Sequence, residues 1–566
     1  MSSFPVSRRA FLKTGAVAAA AAATAATPGV AAAQTARAPH REIEEMTIAE
    51  MQASMTAGDL TARDLVNAYL RRIAMIDRGA TDLRSIIETN PGALAIAGER
   101  DRERRSGAVR GPLHGIPVVV KENIDTDDAM LTTAGSFALA DSTVGQDATV
   151  AAQLKAAGAI IIGKANLSQW ANFRSFQSSS GWSSRGGQCR NPYILDRNPC
   201  GSSSGSAAAV SANLAAASLG TETDGSVVCP STANGVVGIK PSVGLTSRAG
   251  VVPISRSQDT IGPIGRTVAD AAAVLGALTG VDARDPFTAD SAGNSYTDYT
   301  QFLDPNGIAG SRIGVARELF FFSPETSAVM EEALAALVGL GATLVDPVSF
   351  PSFAEFSTSP AEFDVLLYEF KTDMALYLAT RNGGPKTLAD LIAFNNANAD
   401  IELTYFGQEI FDLSETFGDL SDPGYLQALS DSHRISREEG IDAVMDTYAL
   451  DAIVAPTGSP AWPVDLVNGD HFLGGTSSYA AMAGYPLVTV PMGFSFGMPV
   501  GMTFMGRRWA EPTLIKLASG FEAGTGVRAA PGFAPTLDGG GGAATTTAPA
   551  GPTTVSREDA LSLWRR

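Results

Sequence analysis

Residues 198–226 read NPCGSSSGSAAAVSANLAAASLGTETDGS, with Gly and Ser gathered at both ends of a run of small apolar residues. Gly-Ser-rich segments commonly make turns or linkers. A linker does not lead into Ala207–Ala217, however, whose nearly all-round small apolar surface predicts a deeply buried helix packed at close range. A phosphate loop would end in Gly-Lys-Ser/Thr, but Gly205 is followed by Ser206 and Ala207, so no lysine is placed to meet phosphate. A nucleophile elbow would fit Gly201-Ser202-Ser203-Ser204-Gly205 as G-x-S-x-G, with Ser203 at its centre. The elbow needs a buried strand directly before it, whereas the stretch from Asn191 to Pro199 is polar and broken by proline.

Outward from this segment, short apolar runs recur between helical patterns: Ile116–Val120, Ile160–Ile162, Val236–Ile239, Arg312–Val315, Ala452–Val454 and Leu487–Val490. Runs of this length read as buried strands. Their alternation with helices such as Ala148–Ala157 and Ala269–Leu278 predicts an α/β fold, a large sheet covered by helices on both faces. Thr61 followed three residues later by Asp64, ahead of the stripe Leu65, Val66, Tyr69, Leu70 and Ile73, marks a capped helix docked on that sheet. From about 320 to 448 the pattern turns mainly helical and aromatic-rich, as expected of an insertion that walls a cleft. From Ala530 to 566 the Gly-, Thr-, Ala- and Pro-rich sequence predicts a flexible tail.

At the other end, Arg8-Arg9, an alanine-rich run through Ala26, and Ala31 and Ala33 with their small side chains have the form of a twin-arginine (Tat) signal peptide over residues 1–33. The expected destination is periplasmic or secreted, with no stable membrane span once the leader is removed. A formal net charge of −18 excludes a nucleic-acid surface built on excess Lys and Arg. The 45% hydrophobic and 18% charged composition is globular. Cys189, Cys200 and Cys229 are too few for a disulfide framework, and neither a C-x-x-C pair nor a His-rich tract suggests a metal. Buried thiols are the default for these three, with a Cys200–Cys229 disulfide left open.

Three separated segments share one further property, which is their order. Gly115-Ile116-Pro117-Val118-Val119-Val120-Lys121-Glu122-Asn123-Ile124-Asp125, then Gly201-Ser202-Ser203-Ser204-Gly205, then Thr221–Ser226 followed by Pro230 and Gly235–Pro241, resemble the motifs of the amidase signature family. Ala483-Gly484-Tyr485-Pro486 and Met498-Pro499-Val500-Gly501 are similar to its last core strands. The likeness spans about Thr47 to Ala523, within an expected domain of residues 41–529, and implies a large mixed twisted sheet between helices. It also implies hydrolysis of linear carboxamides without metal or organic cofactor, with Ser226 as nucleophile, Ser202 after a cis peptide as the bridging hydroxyl, and Lys121 as base. Backbone N–H groups of Thr223, Asp224, Gly225 and Ser226 would hold the oxyanion.

A serine hydroxyl needs a base, and a lysine serves only when burial lowers its pKa; the apolar run before Lys121 is suited to that. Asp224 and Cys200 stand where the family more often has glycine, and both departures resemble the branch containing bacterial peptide amidases. Trp170 and Ala171, in a loop that also resembles the family, and Ser203 are the expected substrate contacts. The expected ligand is a small-molecule or short-peptide amide, most specifically a C-terminal peptide amide. A general aryl or aliphatic amidase or esterase is the first alternative, and an inactive binding protein on the same fold is the second.

Overall fold

The computed structural model describes residues 43–320 and 322–537. The leader expected over residues 1–33 lies outside them. So do residues 538–566 of the expected tail.

An 11-stranded mixed sheet organises the chain. In chain order its strands are β1 (Ile86–Thr89), β2 (Pro117–Lys121), β3 (Ile160–Ala165), β4 (Ala217–Glu222), β5 (Val237–Lys240), β6 (Thr260–Gly265), β7 (Arg312–Val315), β8 (Thr343–Val345), β9 (Ala452–Pro456), β10 (Leu487–Ser495) and β11 (Met498–Met505). In space they run β1-β3-β2-β4-β6-β5-β10-β11-β9-β7-β8. β2 lies parallel between β3 and β4. Its Val118, Val119 and Val120 are almost completely buried, and each such valine contributes about 1.5–3 kcal/mol over an exposed one. Every run expected to be a strand is one.

The edges of the helices follow local chemistry. Thr61 caps Ala62–Arg72 in the anticipated box with Asp64, and Thr47 does the same with Glu50 for Ile48–Ala57. The small-residue run departs from expectation. Its helix covers only Ser204–Ser211, Asn213 turns the chain at φ 56°, and Ala217–Glu222 is β4. Alanine favours helix on propensity, but hydrogen-bonding partners on both sides, β2 and β6, override it.

The region read as a helical insertion from 320 to 448 is less separate than expected. Its first helix, Pro324–Gly339, packs Met330, Ala333, Leu334 and Leu337 into the core beneath the sheet, and β8 extends the sheet itself. The helices Ala361–Ala379, Leu388–Ala397 and Glu409–Glu415 pack Leu367, Phe370, Leu391 and Phe411 into an apolar cluster shared with Leu139, Trp170, Phe173 and Ile254. The segment read as tail from 530 begins by docking. Phe533 N donates to Pro192 O at 2.9 Å, Ala534 N to Tyr193 O at 3.1 Å, and Leu195 N to Ala534 O at 2.8 Å. Cys200 and Cys229 are joined by a disulfide, while Cys189 is free and buried. No helix among the described residues is long and apolar enough to cross a membrane.

Candidate active site

Lys121 ends β2 with a neighbouring strand on either side and no exposed surface. Its Nζ donates to Ser202 Oγ at 2.6 Å, Thr221 Oγ1 at 2.8 Å and Thr221 O at 3.3 Å. Burial pushes this amine down to about 7 against the pull of Asp259 and Glu222, so its neutral form is well populated near neutral pH. The peptide Gly201–Ser202 is cis. A Cβ at 201 would lie 2.2 Å from Ser168 Oγ, so glycine there leaves room for that hydroxyl.

Ser226 sits between β4 and the short helix Val228–Ala233. The buried Glu222 carboxylate accepts from Val227 N at 2.7 Å and Val228 N at 3.0 Å, which fixes the turn on which Ser226 stands. Ser203 N donates to Ser226 O at 3.1 Å and so joins the two serine-bearing segments. Ser226 opens into a chamber of about 420 Å³ whose wall includes Ala171, Gly201, Thr223, Asp224, Gly225 and both disulfide cysteines.

The four residues expected to supply oxyanion donors form one turn beside that chamber, with Gly225 at φ 78°. Among the described residues, the N–H groups of Asp224, Gly225 and Ser226 donate to no other group. Thr223 Oγ1 is engaged with Asp259 at 2.6 Å. The Asp224 carboxyl accepts from Ser477 Oγ and, at 2.6 Å, from Ser478 Oγ, and burial raises its pKa. No group of three or more His, Cys, Asp or Glu side chains suited to a metal occurs among the described residues.

Of the expected substrate contacts, only Ala171 faces the chamber. Trp170 instead turns its ring into the aromatic core, edge-on to Phe411 with centroids 5.6 Å apart. Residues 170–172 all adopt positive φ, and that local reversal separates the directions of adjacent side chains. Ser203 is stitching rather than lining: its Oγ donates to Thr221 O at 3.1 Å and accepts from Thr221 N at 3.2 Å.

Several contributors were given no role by the sequence. Asn123 Nδ2 donates to Thr221 Oγ1 at 3.0 Å, so that hydroxyl receives both Lys121 and Asn123. Glu122 accepts from Thr133 and from Gly135 N at 2.9 Å. Glu402, from the helical region, receives Ser136 Oγ at 3.0 Å, Phe137 N at 2.8 Å, Gln169 Nε2 at 2.6 Å and Ser184 Oγ at 3.1 Å. Thr221 and Asn123 lie within quoted motifs and were findable there; Glu402 announces itself by nothing in its neighbourhood. A second cavity, about 500 Å³, shares Ala171, Thr223 and Ile254 with the chamber and reaches Asn123 and Thr221.

A family model described as Amidase matches residues 64–515. A probable amidase of Arabidopsis thaliana is 43% identical over 500 residues, 87% of this chain and 92% of that protein. Among solved structures, the native peptide amidase from Stenotrophomonas maltophilia superposes with a TM-score of 0.83 at 50% identity, covering 87% of this chain and 99% of that one. An amidase family protein from Bacillus anthracis superposes with a TM-score of 0.78 at 34% identity, covering 87% of this chain and 93% of its own.

Proposed function

The chain belongs to the amidase family and is an enzyme that hydrolyses amides; within that activity, we propose that it removes the C-terminal carboxamide of short peptides through an acyl-enzyme on Ser226. The observation that carries the mechanism is the buried Lys121 amine, held near neutral pKa and 2.6 Å from Ser202 Oγ. Ser226 Oγ bonds to the carbonyl carbon as its proton passes to Ser202, whose own proton goes to the neutral Lys121. Charge developing on the oxygen meets the N–H groups of residues 223–226. As the C–N bond breaks, the nitrogen recovers a proton through Ser202 and leaves as ammonia. Water then repeats the attack on the ester and releases the acid.

The peptide substrate is supported by the 50% identity to the S. maltophilia peptide amidase over nearly all of that chain. Release of ammonia from an amidated dipeptide, compared with release from a simple aliphatic amide, tests it. The dipeptide is expected to be the better substrate, and activity on the aliphatic amide alone would leave a general amidase.

We propose further that the chain acts outside the cytoplasm after twin-arginine export. The Cys200–Cys229 disulfide supports an oxidising compartment. A host lacking twin-arginine translocation should retain the activity in its cytoplasm, and undiminished periplasmic activity there would exclude the route.

A further inference from the structure

Two cysteines stand beside the two serines. Cys200 precedes Ser202 by two residues, Cys229 follows Ser226 by three, and their Cα atoms are 6.0 Å apart across the disulfide. The segments it joins enter from different elements: one leads into the helix Ser204–Ser211, the other leaves β4 for the helix Val228–Ala233. Non-covalent ties between them exist, including Ser203 N to Ser226 O and Asn234 Nδ2 to Pro199 O at 2.8 Å. Ser203 adds two more bonds, its Oγ donating to Thr221 O and accepting from Thr221 N, so these ties gather at one residue on the Ser202 side, and Asn234 lies on the far side of the helix from Ser226 in sequence. The disulfide is the one covalent tie, and it meets the chamber wall on both sides.

The backbone gives an independent argument. Cys200 sits at φ 57°, a left-handed conformation that glycine enters without the steric cost a Cβ imposes. A side chain is carried there nonetheless, and its sulfur is the one joined to Cys229. Cys189 does not compete for it: it is wholly buried, and burial raises its thiol well above the ordinary range.

We infer that the Cys200–Cys229 disulfide is a positioning clasp that sets Ser202 against Ser226, so that turnover follows its oxidation state. In the dithiol form the two loops keep their fold and lose their register. Closing the clasp converts two thiols to one disulfide. The two electrons and two protons pass to a disulfide oxidant, which departs as two thiols. Because both cysteines line the chamber, a reductant reaches them by the route the substrate takes, and a ligand on Ser226 shields them.

The inference rests on the amidase reading, and the experiment separates the two. The folded protein is compared oxidised and after dithiothreitol, with intact mass reporting the redox state and circular dichroism the fold. Two rates are followed: ammonia release, resolved into kcat and KM, and covalent capture of Ser226 by a fluorophosphonate probe. Reduction is expected to lower kcat and the capture rate tenfold to a hundredfold, the scale of a small misplacement of reacting groups, with KM within about threefold. Oxidised glutathione should restore both rates. The double variant Cys200→Ser/Cys229→Ser should stay low and ignore either reagent.

Full kcat and capture in a protein shown by mass to be reduced would overturn the clasp. Loss of the folded signal in both the reduced parent and the double variant would also overturn it, leaving a stabilising crosslink only. An oxidised parent that takes the probe but releases no ammonia would break the proposed function, while the capture rates still decide the clasp.

Discussion

Lys121 ends β2 and Lys164 stands one residue before the end of its parallel neighbour β3, paired so that Val120 faces Lys164 and Lys121 faces Ala165, and neither has exposed surface. Burial lowers both amines, Lys121 to about 7 and Lys164 to about 8. Their surroundings differ. Lys164 Nζ donates to the Ile124 carbonyl and to Thr132 Oγ1 at 2.9 Å, and Glu122, Asp125, Asp128 and Glu88 favour its charged form. It holds a loop. Lys121 has only Asp259 and Glu222 acting that way, and its nitrogen touches Ser202, whose segment is hydrogen-bonded to that of Ser226, whereas the Thr132 hydroxyl beside Lys164 donates to the Ile124 carbonyl. A depressed pKa is therefore the common result of burial, and the acceptor decides which lysine is a base.

The sharpest way to break that contrast is to remove each amine in turn. Lys121→Ala should lower kcat about 10⁴-fold, as loss of one member of a serine-base unit does. Lys164→Met should leave kcat within about tenfold and cost about 1–3 kcal/mol of stability from the acceptors it strands, read as a fall in Tm. Equal losses of kcat would end the distinction. The pH dependence of stability gives the same test a second axis. The folded chain releases the Lys164 proton near pH 8, while the unfolded chain holds it to about 10.5. Stability from this group therefore rises with pH across that window, and Lys164→Met should flatten the rise.

A smaller effect sharpens the Lys121 side alone. Thr221→Val keeps the shape but removes an acceptor from the ammonium form, which lowers the amine further. The pH–rate profile, expected to rise to a plateau above about pH 7 in the parent, should shift its acid limb downward while kcat falls about tenfold. An upward shift would mean that the hydroxyl mainly stabilises the neutral amine. Smallest of all, Ser203→Ala should leave kcat within about threefold and cost about 1 kcal/mol in denaturant unfolding, because its hydroxyl only bridges the Thr221 backbone. A loss of a hundredfold would return Ser203 to the site.

These contrasts also mark how far the sequence could be read. Lys121, Ser202 and Ser226 each stand in a contiguous motif, and the strand ahead of Lys121 is written in four successive apolar residues. β4 was legible only as small residues, because its conformation comes from the partners on either side rather than from its own composition. Trp170 and Ala171 adjoin in sequence and diverge in space through three successive positive φ angles, a property of the loop that residue types do not reveal. Thr221 reaches Lys121 through the register of β4 on β2, which pairs Leu219 with Val120. The C-terminal docking through Ala534 depends on Pro192, Tyr193 and Leu195, more than 300 positions earlier.

Glu402 bears on how such enzymes diversify. One carboxylate in the helical region accepts from Ser136, Phe137, Gln169 and Ser184, and its carbonyl receives Arg174 as well. Glu402 thus keys the wall of the cleft into the floor, alongside Glu369, which accepts from Ser255 and Ser257, Glu362, which accepts from Gln258, and Tyr377, which donates to Asp125. A graft of this region onto another scaffold would strand the Glu402 carboxylate unless the recipient carried matching donors, and the recipient's own donors would be stranded in turn. The wall is not an interchangeable cassette. New specificities on this scaffold are better sought by point changes along the face of the wall than by transplanting it whole.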